Sequence, residues 1–256
     1  MEREIITSRK NPLMTHLRKL ASSRAYRTEQ SEFLCDGVKL LDEAVHAAAS
    51  ILTVVHTERV ELPVLDRRVR VVCVPEDVMR SVSPMEAPQG VLFTCRLPDA
   101  KLPETLGGGG CLVLDGVQDP GNVGTIVRSA DAFSCGAVIL LEGCADIYSH
   151  KAARATMGAV FRREVYSCTA EELFALLARD GIPLYGAALR DDTVDVRDTD
   201  LRAAAVAVGS EGRGLREEIL ARCDKTVHIP MNERCESLNA AMAASILLWE
   251  MYRGTR

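Results

Sequence analysis

Residues 206–218 read VAVGSEGRGLREE, and this stretch decides the fold. A short apolar run stops at Gly209, and Gly212 and Gly214 follow at once. An unbroken apolar run of this length reads as a strand covered on both faces, as in a parallel sheet. The glycines permit positive φ and let backbone groups approach a ligand closely. Glu211 stands inside the loop; ionised, it is acceptor-only and suits a hydroxyl or cationic partner.

Outward from this loop the same rhythm recurs. CLVLDGV (111–117), AVILLEG (137–143), IPLYGAAL (182–189) and TVHIPM (226–231) are further short apolar strands. Helical patterns lie between and after them: NVGTIVRSADAFS (122–134), AEELFALLARDG (170–181), GLREEILARC (214–223) and ESLNAAMAASILLWEMY (236–252). Alternating strands and helices predict an α/β domain with a parallel sheet, whose ligands bind beyond the carboxyl ends of the strands. Upstream, LPDAKLPETLGGGG (97–110) has linker composition and separates residues 1–96 from 111–256. The first part carries helices GVKLLDEAVHAAAS and PEDVMRSVS and strands ILTVVH, VRVVCV and GVLFTC, a second and smaller α/β domain.

Several function classes are excluded. With 47% hydrophobic and 26% charged residues the chain is globular rather than disordered. The net charge of −5 excludes a uniformly basic nucleic-acid coat. Charge is uneven, however: residues 1–28 hold seven Lys/Arg against two Glu. Arg9, Lys10, Arg18, Lys19, Arg24 and Arg27 are therefore candidates for phosphate contacts, the plainer alternative being a solvated helix face. The nine cysteines form no CxxC pair and no zinc-spaced cluster, which argues for a reducing cytoplasm and against a structural metal. No secretory h-region and no run of about 20 apolar residues is present. No GxGxxG opens the helix at 122, against a dinucleotide oxidoreductase. Aromatics at 4% argue against a base-stacking platform.

Two more loops carry unusual residues. In QDPGNVGTIVR (118–128), Asp119 to Asn122 end a strand and open a helix, Gly124 allows close backbone passage, and Arg128 follows one helical turn later. From these residues alone an ordinary capped βα turn remains open. In HIPMNERCESLNAAM (228–242), Ser237 suits an N-cap, and Asn239 is a polar residue opening an apolar helix, so it is a structural clamp or a site residue. Met231 and Met242 read as core.

In their order and spacing together, the three loops resemble the three signature motifs of the SpoU family of RNA ribose 2′-O-methyltransferases, in the SPOUT superfamily. Asn122, Gly124 and Arg128 match the first motif, Gly209 to Leu215 the second, and Ile229, Pro230, Met231, Ser237, Leu238 and Asn239 the third. The resemblance spans 111–256. Through SRKNPLMTHLRKL and EFLCDGVKLLDEA the N-terminal part also resembles the family's L30e-like substrate-binding domain. Departures are small: Thr156 stands where Ser is frequent, and Ala240 where Val is common.

The resemblance implies a parallel-sheet SPOUT domain with a deep trefoil knot, working as a homodimer. It implies S-adenosylmethionine held in the knot, mainly by Gly209, Ile229 and Leu238, with Ser210, Pro230 and Met231 nearby; a side chain at Gly209 or Gly212 would occupy ligand space. It assigns Arg128 to the ribose hydroxyl. A guanidinium with a pKa above about 12 is a poor base, so a contact to phosphate or to the developing alkoxide is the more comfortable role. Asn122, Glu211, Ser237 and Asn239 would orient Arg128 and the ribose, with Glu211 paired to Arg128. No metal is implied. The separate N-terminal domain favours large-subunit (23S) rRNA over tRNA. A non-catalytic RNA-binding protein of the same fold is the rival reading, and the presence of Arg128, Glu211, Ser237 and Asn239 argues against it.

Overall fold

The computed structural model describes residues 4–99, 101–107, 110–190, 192–232, 234 and 237–253. The chain forms two compact units, Met1–Asp99 with Asp146–Phe161, and Ala100–Ala145 with Arg162–Arg256. In chain order the elements up to the first crossing are β1 (Glu4–Ile5), α1 (Pro12–Ser22), α2 (Arg24–Gln30), β2 (Glu32–Asp36), α3 (Val38–His46), β3 (Ile51–His56), β4 (Arg70–Cys73), α4 (Glu76–Val82) and β5 (Val91–Arg96). Then come β6 (Cys111–Asp115), α5 (Pro120–Ala132), β7 (Ala137–Leu140), α6 (His150–Ala155), β8 (Val165–Ser167), α7 (Ala170–Asp180) and β9 (Leu184–Ala187). The last are β10 (Val194–Asp195), β11 (Ala205–Gly209), α8 (Glu217–Leu220), β12 (Lys225–His228) and α9 (Ala240–Arg253).

The first unit has a five-stranded sheet in the order β1-β4-β3-β5-β2, with β5 antiparallel to both neighbours. Alternation along each strand supplies two apolar faces. Leu34, Val55, Val72 and Leu92 face a cluster built with Leu13, Met14, Leu17 and Leu20 of α1 and Val78, Met79 and Val82 of α4. Phe33, Cys35, Val54, Val91 and Phe93 face the opposite cluster, with Leu40, Leu41 and Ala44 of α3. Each such large aliphatic side chain contributes on the order of 1.5–3 kcal/mol on burial. The sequence suggested three strands here; β1 and β2 complete the sheet.

The segment Asp146–Phe161 follows β7 in the chain yet packs in the first unit. Ala153 joins the Phe33–Phe93 cluster. Tyr148 lies 5.0 Å from Phe33 between ring centroids, and Phe161 stacks on the same ring at 6.3 Å. This differs from the sequence division, which kept 111–256 whole.

The second unit has a seven-stranded sheet in the order β10-β12-β9-β11-β6-β7-β8, and every neighbouring pair is parallel. Cys111, Val113, Ile139, Leu184, Ala205 and Ala207 share one face with Leu173 and Leu177 of α7. That helix starts in a capping box, in which the Thr169 hydroxyl accepts from the Glu172 N–H and the Glu172 carboxylate accepts from the Thr169 N–H. It ends at Gly181, whose φ of 65° completes a left-handed cap. On the other face α5 and α9 pack on one another. The expected helix over 214–223 shrinks to α8, and the last helix begins at Ala240 rather than at 236, a residue outside the described set.

Candidate active site

β6 and β11 are central neighbours in the second sheet, with Asp115 beside Gly209 in register. The loops leaving them therefore emerge side by side at the carboxyl edge of the sheet, where open α/β folds bind ligands. After β6, Asp119 caps α5 by accepting from the Asn122 N–H at 2.9 Å, and Pro120 occupies the first turn, where its missing N–H costs nothing. Asn122 thus projects from the first turn of α5.

After β11 the chain folds back on itself. Ser210 N–H donates to the Gly214 carbonyl at 3.2 Å, and Gly214 N–H donates to the Ser210 carbonyl at 2.9 Å. Gly214 takes a φ of +66°, which favours glycine. A Cβ on Gly209 would stand 2.1 Å from the Gly214 carbonyl carbon, so glycine is required there by the loop's own closure. What a side chain at Gly209 meets is the Gly214 backbone. A Cβ on Gly212 meets nothing within 4 Å.

The tight loop holds Glu211 against two asparagines that lie 89 and 28 residues away in the chain. Asn122 Nδ2 donates to Glu211 Oε1. Asn239 Nδ2 donates to the same oxygen at 3.3 Å and to Asn122 Oδ1 at 3.2 Å, and the Ala240 N–H reaches Oε1 at 3.4 Å. Asn239 is also the cap of α9: its Oδ1 accepts from the Ala241 N–H at 3.0 Å and the Met242 N–H at 3.3 Å. A carboxylate at the start of this helix is favoured by the helix dipole. Ser237, expected as the cap, lies two residues ahead of it and is exposed.

Arg128 is elsewhere. It is exposed on α5, and among the described residues it makes no hydrogen bond or ion pair. The expected Glu211–Arg128 pair is therefore not formed within the chain; amide donors hold the carboxylate instead.

Beside this cluster an open cleft of about 170 Å³ is lined by Ala187, Ala188, Leu189, Ile229, Met231 and Leu238, among others. Of the expected cofactor residues, Ile229, Met231 and Leu238 line it; Gly209, Ser210 and Pro230 do not. Leu189, at 74% exposure, and Met231, at 39%, leave apolar surface open at its rim. Sequence reading missed Ala187 to Leu189, which simply follow a strand.

It also missed Asp115 and Arg216. The Asp115 side chain is fully buried. Its Oδ2 accepts from the Arg216 N–H at 2.7 Å and its Oδ1 from Arg216 Nε at 2.6 Å. Burial works against the Arg216 charge, but the hydrogen bond and charge of Asp115 outweigh it and hold the guanidinium pKa above its ordinary value. Among the described residues no cluster of His, Cys, Asp and Glu is placed to hold a metal, and no helix is long and apolar enough to cross a membrane.

The basic N-terminal residues, in the first unit, divide. Arg27 is only 4% exposed; it pairs with Asp146 at 2.5 Å and donates to the Leu20 carbonyl, so it is a structural residue and not the phosphate contact expected. Arg9 is bonded to Asp77 at 2.7 Å, and Arg18 donates to the Ser81 and Arg9 carbonyls. Lys10, Lys19 and Arg24 are exposed, with Lys19 over the Tyr26 ring at 5.2 Å.

Comparison with known proteins agrees with this architecture. Residues 110–249 match the model of the SpoU rRNA Methylase family, and residues 11–92 match the MRM3-like substrate binding domain. The chain is 30% identical, over 96% of its length and 98% of the relative's, to the 23S rRNA (guanosine(2553)-2′-O)-methyltransferase RlmP of Bacillus subtilis. It is 30% identical, over 97% and 91%, to the 23S rRNA (uridine(2479)-2′-O)-methyltransferase of Streptomyces viridochromogenes. An AdoMet-bound rRNA methyltransferase from Sinorhizobium meliloti superposes with a TM-score of 0.87 at 28% identity, covering all of both chains. The chain belongs to the SpoU rRNA methylase family.

Proposed function

We propose that this protein transfers a methyl group from S-adenosylmethionine to a ribose 2′-hydroxyl of 23S rRNA. One observation carries the reading: the apolar cleft and the polar cluster meet at consecutive residues, Leu238 lining the first and Asn239 belonging to the second. A group held in the cleft thus lies next to a carboxylate positioned by amides. The cleft's small and aliphatic lining and its open rim at Leu189 and Met231 fit an adenosyl group. S-adenosylmethionine supplies an electrophilic methyl on a sulfonium; the protein supplies orientation and charge placement.

Within the cluster, Glu211 Oε1 is taken up by its N–H donors, and Oε2 has no partner among the described residues. Oε2 accepts a hydrogen bond from the attacking hydroxyl. Arg128, permanently charged, contributes as a cation for phosphate or alkoxide and not as a base. It lies on the exposed side of the helix that packs against α9, and α9 carries the exposed Met242 and Trp249. We assign that face to a second copy of the chain, in a homodimer to which Arg128 is delivered from its surface. The bond between Asn239, which follows β12 in the chain, and Glu211 of the β11 loop supports the trefoil threading of the family. Lys10, Lys19 and Arg24 are the proposed phosphate contacts of the substrate-binding unit, and the cytoplasm is the compartment that fits an rRNA substrate.

The test is transfer of labelled methyl from S-adenosylmethionine to size-separated RNA from cells lacking the gene. Label in 2′-O-methyl nucleosides of the large rRNA is expected. Label confined to tRNA would overturn the substrate, and no label in any fraction would overturn the reaction.

A further inference from the structure

Asp115 and Arg216 lie outside the polar cluster, yet each borders one of its loops. Asp115 ends β6, four residues before the cap of α5 that carries Asn122; Arg216 follows the loop that carries Glu211. Asp115 is buried at the strand end with both oxygens committed to this one residue, to its main chain and its side chain alike. A buried carboxylate holding a backbone N–H and a guanidinium at once fixes both the position and the direction of the chain there. Arg216 Nη1 reaches Glu218 at 2.6 Å, which ties the same side chain to α8.

Apart from the hydrogen bonds that Glu211 receives from Asn122, Asn239 and the Ala240 N–H, the loop between its stems has little to hold it. Glu211, Gly212, Arg213 and Gly214 are all exposed. The Ser210–Gly214 pair closes the loop on itself but does not fix its direction relative to α5. That direction is set at its two stems, by the β11–β6 register at Gly209 and by Asp115, with the buried Leu215, at the other.

We infer that the Asp115–Arg216 pair is a strut between the first and second motif loops, and that Arg216 is a positioning residue whose contribution to methyl transfer runs through Glu211. The inference rests on the reading of Glu211 as a site residue. Removing the strut lets the loop swing, so that Glu211 leaves the amides of Asn122 and Asn239.

The experiment uses the full-length protein with R216Q, E211Q, the double variant, and the charge-free pair D115L/R216L. That pair removes the buried Asp115 charge together with its half-buried partner, so no uncompensated charge is left behind, and it keeps the test open if R216Q folds poorly. The first readout needs no substrate: the side-chain amide resonances of Asn122 and Asn239. In R216Q and in D115L/R216L they are expected to shift in the same direction as in E211Q. The second is kinetic: R216Q lowers kcat by about tenfold or more, but in the E211Q background the same change costs less than about twofold, because coupled residues are not additive. Amide signals that stay at their wild-type positions in both strut variants would overturn the inference. So would losses that multiply in the double variant, which mark a general structural role. Wild-type protein that transfers no methyl to any RNA would overturn the functional reading instead, and the amide signals would still decide the strut.

Discussion

Asn239 and Glu211 are joined so that a single side chain serves the fold and the site at once. Asn239 Oδ1 caps α9, while its Nδ2 donates to Glu211 Oε1 at 3.3 Å. An aspartate would keep the first role and lose the second. N239D is expected to change stability by less than about 1 kcal/mol, whereas N239A loses the cap and costs about 1 kcal/mol more. Both should lower methyl transfer by about a hundredfold, or about 2.7 kcal/mol of barrier. Thermal unfolding and single-turnover kinetics on the two variants separate the roles.

Two glycines of one loop should behave oppositely. G209A drives a methyl group into the Gly214 carbonyl and is expected to cost about 1–3 kcal/mol in stability and to weaken S-adenosylmethionine binding. G212A meets nothing and should leave both within error. Calorimetric titration of the two proteins checks this.

Among the basic N-terminal residues, Arg27 should behave as core. R27A leaves Asp146 without its cation and is expected to destabilise by about 3–5 kcal/mol. K10A and R24A should leave stability unchanged and flatten the salt dependence of RNA binding, by up to about one unit of log–log slope each. Denaturant unfolding and filter binding at several salt concentrations distinguish the two groups.

Asp36 gives a pH signature. Burial pushes its carboxyl pKa up, against a hydrogen bond from Ser83 and the nearby Arg154 and His150, and its Oδ1 has no hydrogen-bond partner among the described residues. With the folded value above the unfolded one, its contribution to stability is fully present below the unfolded pKa and is lost as pH rises through the folded value. D36N should therefore raise the melting temperature at pH 7 to 8, and the gain should vanish toward pH 4. A gain that is constant with pH would contradict the raised pKa.

Met242 and Trp249 are 58% and 48% exposed on α9, where Trp249 packs edge-on to Phe133 at 5.6 Å. If this face forms the proposed homodimer, the parent is expected to sediment as a dimer and M242E/W249E as a monomer, with the far-ultraviolet spectrum preserved. An unchanged sedimentation coefficient would remove this face from the interface.

Much of this was legible from residue order because local pattern dominates at these places. The strands β6, β7, β9 and β11 are largely apolar runs, and the three glycine- and asparagine-bearing loops follow β6, β11 and β12. Short edge strands were not legible: β10 has two residues and β8 three, too few to show a period. The cap of α9 was misplaced because Ser237 and Asn239 are both good caps, and only the path of the chain chooses between them. Partner choice was the least legible. Sequence shows that Glu211 and Arg128 have opposite charge, and that Arg27 is basic; it does not show that two amides reach Glu211 first, or that Asp146 waits for Arg27. Asp115 and Arg216, 101 positions apart, carry no mutual signal at all.

The excursion of Asp146–Phe161 into the first unit has a consequence for modularity. The chain passes between the two units three times, so the substrate-binding unit is not a cartridge that ends where the N-terminal segment ends. A fragment stopping at residue 96 would lack Ala153, Tyr148 and Phe161, and would expose the apolar surface around Phe33 and Phe93 that they cover. Gene fusions that exchange this unit between relatives must carry the excursion with it, or accept a sheet with part of one face uncovered.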